Sequence, residues 1–211
     1  MSAATRQTLI DVASTLFAEQ GFDGVSLRTI TDAAATNVAA VSYHFGGKDG
    51  LIEAVMAAVF TPINDERISR LDAALASGTA DLETLVRAFI EPSFGALRDP
   101  EGAQTNLALS ARLFLESDRG HGLIRSHFGP VLERFRDALG PLVPHLPPES
   151  IMWRLRLTVG SALHVLQGWR RHRQRAAKGK DLASVLLRGR EELIVFAVAG
   201  FQAGAPLSTQ V

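Results

Sequence analysis

Tyr43, His44 and Lys48 sit close together behind a run of small residues, Val38, Ala39, Ala40 and Ser42. A phenol, an imidazole and an ammonium gathered so tightly offer placed polar contacts rather than a broad basic field. The small residues beside them suit close approach to thymine methyl groups in a major groove rather than arginine–guanine pairing. Arg28 and Thr29 add a cation and a hydroxyl within reach of a backbone or a base edge. Thr5 and Arg6 offer a phosphate clamp. Asn37 is better placed as a helix cap than as a base reader. The plain alternatives are that Tyr43 and His44 are packing or capping groups and that Lys48 is a solvated surface lysine.

Covalent chemistry is poorly served. The chain has no His-Glu-x-x-His, no phosphate-binding glycine loop and no serine elbow. Glu116, Asp118, His121 and His127 share no single helical face, so no metal centre, catalytic residue or cofactor is expected. The absence of cysteine removes disulfides, thiolate metal sites and cysteine redox sensing together.

The elements that must position these groups are helical. Leu9, Ile10, Ala13, Leu16 and Phe17 mark one face of a helix from about Ala4 to Gln20, stopped by Gly21. Ser26 caps a second helix carrying Leu27, Ile30 and Ala34. Asn37 caps a third, with Val41 and Phe45 turned inward and Gly46-Gly47 ending it. Both are too short to stand alone, so an exposed face shaped for a groove is their natural justification. With Val41 and Phe45 inside, Val38, Ala39, Ala40 and Ser42 are expected outside.

Asp49 is placed to cap a long fourth helix reaching about Ala76, bent or offset at Pro62. Asp81 caps a fifth, with a kink at Pro92 and an end near Asp99-Pro100. Further helices are expected over 102–116, 121–139, 149–176 and 181–203, with a Pro-rich loop at 140–148. Strand signals are absent, and the fold class is all-α. The division expected is a helix-turn-helix domain at 1–48 and a helical effector-binding and dimerisation domain at 49–211.

Hydrophobic residues make up 46% of the 211, enough for a sizeable core, with no apolar run long enough for a membrane span and no signal peptide. A cytoplasmic protein is expected. Net charge is zero, and the first fifty residues set Arg6, Arg28 and Lys48 against Asp11, Glu19, Asp23, Asp32 and Asp49. A nucleic-acid contact here must rely on a few placed groups rather than a broad basic field.

Residues 5–55 resemble the DNA-binding domain of the TetR family of transcriptional regulators. The ordered set is Thr8 to Phe17, Gly21-Phe22, Ser26, Ile30, Asn37 to Phe45, Lys48 and Leu51. Two departures stand out: Ala35 where the turn often has glycine, and Ser42 where the recognition helix often has tyrosine. The resemblance implies double-stranded operator DNA as partner, repression as the usual mode, and Tyr43, His44 and Lys48 against phosphates.

The body is similar to the branch containing fatty-acid-responsive repressors, through Gly129-Pro130-Val131-Leu132-Glu133-Arg134-Phe135, Pro147-Pro148-Glu149, Trp153-Arg154-Leu155 and Gly160-Ser161-Ala162-Leu163. The TetR resemblance implies a homodimer through the last two helices, with Gly160, Ser161, Ala162, Ala199, Gly200 and Ala203 permitting close approach. The similarity to that branch implies a small hydrophobic effector, a fatty acid or acyl-CoA. Phe89, Phe94, Leu113, Phe114, Phe128, Trp153 and Trp169 are the apolar candidates for its site, and Arg112, Glu116 and His127 the polar ones. The basic run Arg170, Arg171, Arg173, Arg175, Lys178 and Lys180 reads first as solvated cations at a helix end, second as a phosphate site for a CoA ester. The competing functions are a helical enzyme and a helical interaction module without DNA binding.

Overall fold

The computed structural model describes residues 3–97, 102–115, 117–175 and 182–206, and every regular element among them is helical. The α-helices are α1 (Ala3–Gln20), α2 (Leu27–Ala33), α3 (Val38–Phe45), α4 (Lys48–Ala76), α5 (Leu82–Ile90), α6 (Gly102–Leu115), α7 (Ser117–Leu139), α8 (Pro148–Arg175) and α9 (Leu182–Gln202). Short 3-10 turns follow α5 and α7. Among the described residues no helix is long and apolar enough to cross a membrane.

The boundaries follow local chemistry. Ser26 Oγ accepts the Thr29 amide at 3.0 Å, Asn37 Oδ1 that of Ala40 at 3.1 Å, and Asp81 Oδ1 that of Thr84 at 2.8 Å. Each cap satisfies one of the amides that a helix start leaves open, about 1 kcal/mol apiece. The fourth helix departs from expectation. The Leu51 amide bonds to the Gly47 carbonyl at 3.1 Å, so the helix begins at Lys48 and Asp49 falls inside its first turn. There its carboxylate favours the positive helix end without being the cap. Pro62 lies within α4, which continues through it.

Two compact units result: Met1–Pro62 with Asp99–His127, and Ile63–Arg98 with Phe128–Val211. The first unit takes in α6 because that helix packs on α1. Arg112 on α6 donates to the Ala18 and Glu19 carbonyls, the latter at 2.7 Å, closing the exposed end of α1. The first unit is built on Leu9, Ile10, Ala13, Phe17, Ile30, Val41, Leu51 and Val55, all buried.

The second unit packs Leu71, Leu85, Ile90, Phe135, Leu155, Leu186 and Phe201 inside, with the Phe89 and Phe135 rings edge to face at 4.9 Å. Arg154 of α8 donates to the carbonyls of Gly200, Ala203 and Gly204, capping the end of α9. Arg70 meets Glu66 and Glu91, and Arg87 meets Glu83 and Glu191, joining α4, α5 and α9 across their outer faces.

Candidate nucleic-acid interface

Helices α2 and α3, of seven and eight residues, are held by burial rather than by propensity. Ile30 and Val41 are wholly buried, and Phe17 meets Phe22 edge to face at 5.5 Å beneath them. Thr31 is buried too, its hydroxyl donating to the Arg28 carbonyl at 3.1 Å. The turn between the helices is tight: Thr36 donates to the Thr31 carbonyl at 2.9 Å, and Ala35 takes φ 49°.

That left-handed conformation costs an L-residue roughly 1–2 kcal/mol. Replacing Ala35 by Gly relieves it but gives back some unfolded-chain entropy. We expect Ala35→Gly to raise stability by about 1 kcal/mol, seen as a melting point a few degrees higher. A lower melting point would contradict the strain.

Helix α3 shows which predicted readers face outward. Val38, Ala39, Ser42 and Tyr43 are exposed, Tyr43 by 72%. Ala40 is fully buried beside Val41, so it is withdrawn from the groove-facing set. The reason is helical phase: at 100° per residue, Ala40, Val41 and His44 share one side. His44 is half-buried between the Tyr43 and Phe45 rings, and its Nε2 is shielded without a hydrogen-bond partner among the described residues.

The flanking groups fall around this face. Arg6 lies over the Phe45 ring at 5.3 Å, tying α1 to the end of α3. Arg28 is exposed, with Asp32 the nearest carboxylate at 3.9 Å. Thr29 is exposed, and its hydroxyl is shared with the Ser26 cap at 2.8 Å. Asn37 acts as the expected cap, and Lys48 opens α4, half-buried.

Sequence reasoning missed Gly50. A Cβ there would lie 1.8 Å from the Phe45 carbonyl oxygen, so a side-chain-free residue is what lets α4 start hard against the end of α3. Its only sequence signal is glycine inside a helix, where it is costly.

The effector candidates divide between the units. Phe89, Phe94 and Phe128 are buried in the second; Leu113, buried, and His127, beside Glu53 at 3.2 Å and Phe60, belong to the first. Arg112 is engaged by α1 rather than open to a ligand. Trp153 is a correction: it is 62% exposed on α8 rather than enclosed with Phe89, Phe94 and Phe128. Ala162 is likewise buried within the chain, while Gly160, Ala199 and Ala203 are exposed. Glu116, Lys178 and Lys180 lie outside the described residues, as do the side chains of Phe114, Asp118, His121, Trp169, Arg170, Arg171, Arg173 and Arg175.

A capped helix pair whose second helix is bare on one face, followed by a long helical body, has the form of a helix-turn-helix domain on a helical body. Residues 9–55 match the model of bacterial regulatory proteins of the tetR family, and residues 87–200 that of the tetracyclin repressor-like C-terminal domain. The chain belongs to the TetR family.

Two curated relatives are similar over limited stretches. The probable HTH-type transcriptional regulator YttP of Bacillus subtilis is 45% identical over 53 residues, 25% of this chain and 26% of that protein. The HTH-type transcriptional repressor KstR2 of Rhodococcus jostii is 29% identical over 92 residues, 44% of this chain and 43% of its own. The chain thus spans less than half the length of either. Among solved structures, the fatty acid degradation regulator FadR from Bacillus halodurans superposes with a TM-score of 0.63 at 14% identity, covering 92% of this chain and 96% of that one. Salmonella enterica GusR does so at 0.60 and 18%, covering 95% and 96%. At such identities the likeness is one of fold.

Proposed function

We propose that this regulator is a repressor that binds a palindromic operator as a two-fold dimer and is released by a small hydrophobic effector. The observation that carries the dimer is an apolar stripe left in water. Trp153 and Leu157 on α8 and Val195 and Phe196 on α9 are each more than 60% exposed, although both helices are also apolar on their inner sides. A helix hydrophobic on both faces belongs between two partners. A second copy related by a two-fold axis covers the stripe with itself, and the exposed Gly160 and Ala199 allow close approach. Such a dimer presents two α3 helices to half-sites one or more helical turns apart, on the order of 34 Å.

Residues 1–48 read the DNA and the remainder senses and dimerises. Buried Phe89, Phe94 and Phe128 give the second unit the apolar material of an effector site. The names of KstR2, a repressor, and FadR, a fatty acid degradation regulator, support repression and a fatty acid or acyl-CoA effector here. The continuous α4 carries the response, changing the separation of the two α3 helices. A coupling of about 1–3 kcal/mol would change operator affinity roughly 5–150-fold.

The test is a mobility shift with DNA from upstream of the protein's own gene, titrated with salt and with acyl ligands. Steep salt dependence is expected, and no shift at low salt would sink the operator reading. Lys48→Ala should weaken binding to all sequences about equally and lower the log–log salt slope by about one. An unchanged slope would remove Lys48 from the phosphate contacts.

A further inference from the structure

The second unit holds a buried cation with no carboxylate at ion-pair distance among the described residues. Arg67 of α4 is 3% exposed. Its Nε donates to the Phe89 carbonyl at 2.9 Å, one terminal nitrogen to Asn64 Oδ1 at 2.9 Å, and the other to Ser93 Oγ at 2.6 Å. All three acceptors are neutral. The guanidinium carbon lies 4.9 Å from the Phe89 ring centre and 5.6 Å from that of Phe128. A guanidinium has five N–H donors, so one on each terminal nitrogen remains beyond these bonds.

The contrast with its neighbours is direct. Arg70 and Arg87, both more exposed, have Glu66, Glu91, Glu83 and Glu191 at ion-pair distance. Burial pushes the Arg67 guanidinium down to about 10, which still leaves it charged at neutral pH. An isolated buried charge is costly, and neutral acceptors offset only part of that cost. Paired N–H donors flanked by aromatic faces match a carboxylate carried on an apolar body.

We propose that Arg67 is the anion anchor of the effector site, taking the carboxylate of a hydrophobic acid while Phe89 and Phe128 flank its apolar portion. This rests on the effector reading above and narrows it. The anchor is Arg67, because Arg112 is held by α1, and the ligand is a free acid, because a thioester carries no charge at that point.

The experiment is calorimetric titration and thermal melting of the full chain with dodecanoate, dodecanol and dodecanoyl-CoA, on the unaltered protein and on Arg67→Met and Arg112→Met. Dodecanoate should bind the unaltered protein best and raise its melting temperature. Arg67→Met should bind dodecanoate about tenfold to a hundredfold more weakly with dodecanol little changed, and Arg112→Met should keep the preference for the acid. If Arg67 merely ties α4 to α5, its loss weakens all three probes alike, and the anchor is overturned. Equal binding of acid and alcohol also overturns it, but leaves a hydrophobic effector standing. No binding of any probe removes the acyl effector and the anchor together, while operator binding in the mobility shift is untouched. Should Arg67→Met not fold, the guanidinium NMR signals of Arg67 in the unaltered protein decide. They should move on saturation with dodecanoate, and signals that stay put reject the contact.

Discussion

Phe196→Glu is expected to turn the protein into monomers and to lower operator affinity at least about a hundredfold. Phe196 is 69% exposed and stands beside Val195, at 66%. Their neighbours Leu193, Ile194 and Ala197 are buried on the other side of α9. A glutamate at this position would have to lose its hydration on dimerisation and would bring a second copy of itself to the same interface. Desolvation without a partner is worth several kcal/mol for an ion, more than a handful of aliphatic contacts returns. Removing one subunit from the operator then leaves only half of the contacts, because the second α3 no longer arrives with the first. Sedimentation velocity and fluorescence anisotropy on the same samples measure both effects. A Phe196→Glu protein that stays dimeric would move the interface off α9. Trp153→Ala should act in the same direction and more weakly, since it removes area without adding charge.

The second large effect is expected in the reading head. Gly50→Ala places a methyl group 1.8 Å from the Phe45 carbonyl oxygen and 3.0 Å from the Phe45 carbonyl carbon. Both are backbone atoms and cannot swing aside, so the first turn of α4 must move away from the end of α3. Overpacking of this kind costs about 1–3 kcal/mol, and here the displaced elements carry Lys48 and Tyr43. Operator affinity should fall by an order of magnitude or more even in samples that remain folded by circular dichroism. Gly46→Ala is the comparison: Gly46 has φ 72° with no atom near its missing Cβ, so only the left-handed conformation is penalised, about 1 kcal/mol. Equal losses for the two variants would show that conformation, not the close approach, governs this junction.

Much of the head was legible because its signals are local. Ser26, Asn37 and Gly46 act within three or four residues of themselves, as cap, cap and stop, and each does what its type predicts. The buried set Leu9, Ile10, Ala13, Phe17, Ile30 and Val41 follows from helical spacing alone. Ala40 was misplaced for the same reason the rest succeeded. In a helix of two turns, a modest error of phase moves a residue from one face to the other, and alanine gives no polarity to correct it. Asp49 failed as a cap because Gly47 already supplied the carbonyl for the first bond of α4.

The body was less legible, since an aromatic residue in a sequence reads as core by default. Phe89, Phe94 and Phe128 fit that default, whereas Trp153 lies in water in the single chain. Nothing in the spacing of α8 distinguishes a side that packs on its own chain from one that stays exposed. Arg67 and Arg112 are indistinguishable as sequence, yet one is buried among Asn64, Phe89 and Ser93 and the other caps α1.

Sequence alone determined the all-α class, the capped helix pair and the family, because hydrophobic period and caps are read over a few residues. Tertiary structure alone decided that Ala40 is covered, why residue 50 is glycine, and which arginine is buried. Those depend on backbone and side-chain neighbours from five to more than ninety residues away, which no local pattern encodes.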